Sequence, residues 1–149
     1  AAAVAEKLGM VMALENVWGM VCNDFFTAQY LIKRYNSPAF GINYDPSHDM
    51  LAGNNDMEFN VRQWGKKDIK HIHMKDAAGI QKRGYVLFPQ LGAGLVDWAG
   101  FRRGIDTIGY DGVFSVEYEA GQYMSTYINN DWVRAAEESY HALEVILGK

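Results

Sequence analysis

Two observations predict a parallel α/β fold. Apolar strand and amphipathic helix alternate four times along the 149 residues, and every apolar run closes on a side chain that can carry charge or bind a metal. Alternation of this kind is the pattern of βαβ units, whose crossovers require parallel strands. The strand ends fall at Glu15, Asp45, His73 and Glu117, at intervals of 30, 28 and 44 residues, against roughly 30 per βα unit in an eightfold barrel of about 250 residues. The spacing is therefore that of a barrel-type sheet, four units long. Most of the extra length in the third interval lies in the connection after His73, which predicts a lid or a binding loop on that face.

Each element has its own signal. "AAAVAEKLGM" reads as the last turns of a helix, and residues 10–17, "MVMALENV", lack a helical period and read as the first strand. Phe25, Ala28, Ile32 and Tyr35 then recur at helical spacing behind a cap at Asn23 or Asp24, and Ser37 with Pro38 stops that helix. The second strand is "FGINYD", followed from about Asp56 by a helix with Met57, Val61 and Trp64 on one stripe. "IKHIHM" forms the third strand, and "DWAGFRRGIDTIG" the third helix, closed by Gly109. "GVFSVEYE" leads to a last helix at 131–148, with Val133, Ala136, Tyr140 and Leu143 as its predicted buried stripe. The "GAG" at 92–94 lacks the third glycine of a dinucleotide loop and follows no strand, so it reads as a turn.

Because successive strand residues face opposite sides, the phase of each strand can be read. Val11 and Ala13 share the phase of Glu15, Gly41 and Asn43 that of Asp45, His71 that of His73, and Ser115 and Glu119 that of Glu117. These are mostly small or polar. The opposite phase holds Met12, Leu14, Phe40, Ile42, Tyr44, Ile72, Met74, Phe114, Val116 and Tyr118, bulky groups suited to packing under helices. One face of the sheet should meet helices while the other converges on four ligand-type side chains.

Composition narrows the function classes. A net charge of −4, with no Lys/Arg cluster longer than a pair, gives no footprint for nucleic acid. The one cysteine, Cys22, cannot form an internal disulfide and fits a reducing cytoplasm. No apolar run approaches the roughly 18 residues of a membrane span, and Glu6 and Lys7 stand where a signal peptide would have its apolar core. The expected setting is the cytoplasm, without membrane contact.

A histidine alone at a strand end is most simply a hydrogen-bonded core residue. Burying Glu15, Asp45 and Glu117 beside it without a cation would cost several kcal/mol per unpaired charge, a penalty that a divalent ion removes. Three carboxylates and one imidazole make an oxygen-rich donor set, favouring Mn, with Mg, Co and Zn as alternatives. His71, one layer deeper, is expected to support the site or belong to the core rather than act as a ligand, while Glu119 is the alternative to Glu117 as ligand. His48, in "DPSH", stands within reach of a substrate, and Lys75 could meet an anionic group of it.

Taken together, "ALEN" at 13–16, "YDPSH" at 44–48, "HIHMKD" at 71–76, "LGAGLVDW" at 91–98 and "GYDGVFSVEYE" at 109–119 resemble the strand-end motifs of the xylose-isomerase-like TIM-barrel superfamily. That resemblance spans nearly the whole chain and implies the C-terminal half of a (β/α) TIM barrel, strands five to eight with their helices. Residues 1–149 would then form a single half-barrel domain of a larger barrel. It also implies a sugar or sugar-phosphate isomerase or epimerase, acting by proton transfer next to a carbonyl through an enediolate. One divalent metal would be held by Glu15, Asp45, His73 and Glu117. His48 would touch a substrate hydroxyl, and Glu15 and Glu117 would be the proton-transferring pair. Ala93 and Leu95 stand where relatives often carry acids. Endonuclease IV is the rival within the superfamily, but its extra histidines, including one in the connection after strand seven, have no counterpart in residues 77–90. A non-catalytic half barrel is the third reading. The four βα units would leave both edge strands open, so a homo-oligomer is expected.

Overall fold

The structure is a computed structural model that describes residues 1–119 and 121–149, with Gln122 described in its backbone only. A short helix α1 (Ala2–Lys7) precedes β1 (Met12–Glu15), α2 (Phe25–Tyr35), β2 (Phe40–Tyr44), α3 (Pro46–Leu51), α4 (Met57–Asp68) and β3 (Ile69–Met74). A hairpin of β4 (Ala78–Gly79) and β5 (Val86–Leu87) follows, then α5 (Trp98–Ile108), β6 (Phe114–Val116), α6 (Gly121–Tyr127) and α7 (Trp132–Leu147). Strands β1, β2, β3 and β6 form one parallel sheet in that order. Its order follows the chain, as in a barrel wall, and no strand is inserted between neighbours.

Helix starts follow the capping chemistry of the sequence. Asp24, Asp56, Asp97 and Asp131 each accept a backbone N–H from the first turn of α2, α4, α5 and α7, which satisfies one of the orphan donors there. Asp24 rather than Asn23 is thus the cap of α2. Gly109 and Gly148 end α5 and α7 in the left-handed conformation that glycine adopts without strain.

The bulky strand phase does pack under helices. Ile42, Tyr44, Ile72 and Met74 are fully buried with Val61 and Met57 of α4 and Phe101 of α5. Helices α4 and α5 approach closely because position 104 is glycine: a Cβ there would come within 2.8 Å of Val61 Cβ. The last helix departs from the expected stripe. Its buried residues are Ala135, Ser139 and Leu147, and Ala142, Leu143 and Ile146 pack against the main core, so of the expected stripe Leu143 reaches the core while Val133, Ala136 and Tyr140 are exposed. Ala136, Tyr140 and Leu143 border an open groove of about 550 Å³ with Phe114, Val116 and Tyr118. An amphipathic pattern marks which side is apolar; here that side extends past the sheet's edge.

Candidate metal centre

Strand register brings the four predicted residues together. Glu15 lies beside Asn43, Asn43 beside His71, and His73 beside Ser115. The inward residues therefore climb the sheet, with Glu15 lowest and Glu117, just past β6, highest, which is how strand stagger aims side chains at one point inside a barrel. One donor atom from each of Glu15, Asp45, His73 and Glu117 lies within 4.8 Å of all the others.

Asp45 owes its position to a short helix start between the second strand and the helix expected from about Asp56. With Pro46 at the first helical position, Asp45 is the N-cap of α3. Its Oδ1 accepts the Ser47 N–H at 2.8 Å, which leaves Oδ2 to face the site. Asn16, unassigned in the sequence reading, clamps the same residue: Nδ2 donates to the Asp45 carbonyl at 2.9 Å, and Oδ1 accepts the Asp45 N–H at 2.8 Å. The first turn of α3 then returns His48 to the same side, its Nε2 3.4 Å from Asp45 Oδ2.

Charge is densely paired here. His73 Nδ1 sits 3.0 Å from Glu15 Oε1 and 3.0 Å from Glu117 Oε2. Hydrogen bonds to Glu117 and Glu15 raise the imidazole to about 10, and the same contact lowers Glu117 to about 2. Burial pushes Asp45 up to about 6 against the pull of Lys75. Burial and the nearby Lys75 lower His48 to about 4, so it is neutral at pH 7. Lys75 is 2% exposed, with Nζ 2.9 Å from Asp45 Oδ2, 2.7 Å from Glu117 Oε2 and 2.8 Å from Glu119 Oε2. Burial works against its charge, but Asp45 and the two glutamates outweigh that and hold it above the ordinary lysine value.

Sequence-predicted residues thus all gather in one place, though not all in the expected roles. Lys75, read as a cation facing substrate, directs its ammonium into carboxylates. Glu117 belongs to the converging donor set, whereas Glu119, half exposed, meets Lys75 instead. His71 packs edge-on against His73 at 5.5 Å. Asp76 was not singled out, yet its carboxylate accepts N–H groups from Ala77, Gly92, Val96 and the Trp98 indole. It thereby folds the long connection back over the site. Phe88 of that connection lies 5.0 Å from Lys75 Nζ and edge-on to His48.

The donor set fits a divalent ion. Asp45 Oδ2 is wholly buried and faces the Lys75 ammonium at an ion-pair distance of 2.9 Å, and among the described residues no side chain gives it a well-directed hydrogen bond. A buried carboxylate oxygen left in this state is a natural ligand atom. The hard oxygens and single imidazole match Mn, Mg, Co or Zn without demanding thiolates.

A sequence profile of the xylose isomerase-like TIM barrel family matches residues 1–145, and the chain belongs to that family. No curated protein matches it. Among solved structures it is similar to an IOLI protein with a bound zinc atom (22% identity, TM-score 0.78, 98% of this chain and 52% of that one). It is likewise similar to a xylose isomerase domain protein from Planctomyces limnophilus (24%, 0.68, 99% and 50%). D-allulose 3-epimerase from Methylomonas sp. in complex with D-allulose is a third (22%, 0.70, 97% and 50%). At these identities the likeness is one of fold. The chain spans about half the length of these solved structures, consistent with half of a barrel.

Proposed function

We propose that this chain is the metal-binding half of a sugar or sugar-phosphate isomerase or epimerase, with one divalent ion, Mn by preference, held by Glu15, Asp45, His73 and Glu117. The observation that carries the reading is the convergence of those four donors within 4.8 Å around a buried, undirected Asp45 oxygen. Family membership supports it, as do neighbours described as epimerases and the D-allulose bound by one of them. When bound, the ion would polarise a substrate carbonyl and offset the negative charge that develops as the adjacent carbon loses a proton.

The chain's own groups then divide the remaining work. Glu15 and Glu117 reach His73 from strands on opposite sides of it, so one carboxylate removes the proton next to the carbonyl and the other returns it. His48, neutral at pH 7, offers a hydrogen bond to a substrate hydroxyl. Phe88 excludes water from that side of the site. The remaining wall of the pocket falls to the other half of the barrel.

Two measurements test this. Asp45→Ala and His73→Ala should each bind Mn²⁺ at least tenfold more weakly than the parent by calorimetry; equal affinity would remove the ligand assignment. The full barrel should exchange solvent deuterium into the carbon next to the carbonyl of at least one ketose in a panel. No exchange with any of them, together with cleavage of abasic DNA, would favour a nuclease instead.

A further inference from the structure

Two of the three carboxylates around Lys75 are themselves members of the converging donor set. The ammonium shares Asp45 Oδ2 at 2.9 Å and Glu117 Oε2 at 2.7 Å with the space where those donors meet. Its third partner, Glu119, lies outside the set. The lysine stem cannot swing freely to solvent, because its side chain is 2% exposed and Phe88 lies over it.

We infer that Lys75 is a fixed counter-cation that sets the metal affinity of the site, an inference that rests on the metal-binding reading above. A unit positive charge held within about 3 Å of two ligand carboxylates repels an incoming divalent ion and competes for the same oxygen lone pairs, and partial burial weakens the screening that water would provide. The same charge neutralises Asp45 and Glu117 within the fold, so the carboxylates stay converged rather than pushing one another apart. Lys75 therefore trades binding strength for a site that is preformed and reversible. Glu119, by drawing the ammonium outward, acts on the other side of that balance.

The test uses the chain itself, with Mn²⁺ calorimetry and metal-free thermal unfolding in chelator as readouts. Lys75→Met keeps the stem against Phe88 and removes the charge; Lys75→Arg keeps the charge. The Met variant should bind Mn²⁺ tenfold or more tightly and melt at a lower temperature than the parent in chelator, while the Arg variant stays within about threefold of the parent in affinity. Equal or weaker Mn²⁺ binding by Lys75→Met overturns the role of Lys75 and leaves the metal reading standing. No Mn²⁺ binding by the parent overturns both. Should Lys75→Met fail to fold, Glu119→Gln serves, because that side chain is half exposed and outside the donor set. It should weaken Mn²⁺ binding at least threefold in the parent and have a smaller effect in a Lys75→Gln background, as coupled groups do. Equal effects in both backgrounds overturn the inference.

Discussion

At the scale of single residues, the sequence carried the donors but not their partners. Glu15, Asp45, His73 and Glu117 were legible because each ends an apolar run in the inward phase. Asn16, Lys75 and Asp76 owe their roles mainly to contacts across 16 to 44 residues, and no local pattern announces such pairs. Asp49 is a further case. It lies within α3, is almost wholly buried and accepts the Tyr44 hydroxyl at 2.9 Å. Burial raises its carboxyl to about 7 despite that bond, against an unfolded value of roughly 4. The folded state then binds the proton more tightly than the unfolded one, so stability is greatest below pH 4 on this account and falls as pH rises from about 4 to 7. Asp49→Asn keeps an acceptor for Tyr44 and removes the titration. Asp45, His48 and His73 titrate in parent and variant alike, so in chemical denaturation across pH 4 to 8 the stability of the parent relative to the variant should fall as pH rises, leaving the variant the more stable at pH 8. Parallel curves would show that Asp49 is not the group responsible.

Elements were legible wherever period and cap agreed. α4 and α5 lie where Met57, Val61 and Trp64, and then Asp97 and Gly109, placed them. The six-residue α3 was hidden because "DPSH" is too short to show a helical period, although Asp-Pro is a helix-start signal. The hairpin in the long connection was hidden because its strands are two residues each, too short to alternate, and the return of that connection at 92–98 is tied down by Asp76. Gly94 is part of that organisation, since a Cβ there would collide with the Asp76 carboxylate. Gly94→Ala should therefore loosen the connection, raising the rate of proteolytic cleavage within residues 80–85 while the sheet's circular dichroism is retained. Asp76→Ala leaves four N–H groups without their acceptor. Loss of one buried bond of this kind costs about 1–3 kcal/mol, and more where a charge is involved, so its melting temperature should fall further than that of Gly94→Ala. An Asp76→Ala protein as stable as the parent would mean that water replaces the carboxylate without cost.

For the molecule as a whole, the sequence made the βα order and the inward convergence plain, whereas the stripe of α7 was misread because Val133, Ala136 and Tyr140 are exposed beside the sheet's last strand. The strands β1 and β6 stand at the two ends of the sheet order, each with one hydrogen-bonding side that no described strand pairs. Apolar side chains gather at both ends: Leu8, Met10 and Val11 near β1, and Val113, Trp132, Val133 and Tyr140 near β6, all more than half exposed. An edge of this kind is a template for pairing, and an apolar groove of about 550 Å³ beside it adds area to any partner that seats there. In a (β/α)8 barrel the other half covers both ends. Alone in solution, the chain has its own opposite edge as the nearest equivalent, and two copies about a twofold axis would set β1 of each against β6 of the other, closing both edges at once. Light scattering on the purified chain should accordingly report a dimer or larger species at micromolar concentration. Ala136→Lys with Tyr140→Lys, which charges the groove without touching the donor set, should shift the population toward monomer. A parent that is a monodisperse monomer and unfolds in one cooperative thermal transition would mean that these edges are stable in water, and that the exposed stripe of α7 has no part in assembly.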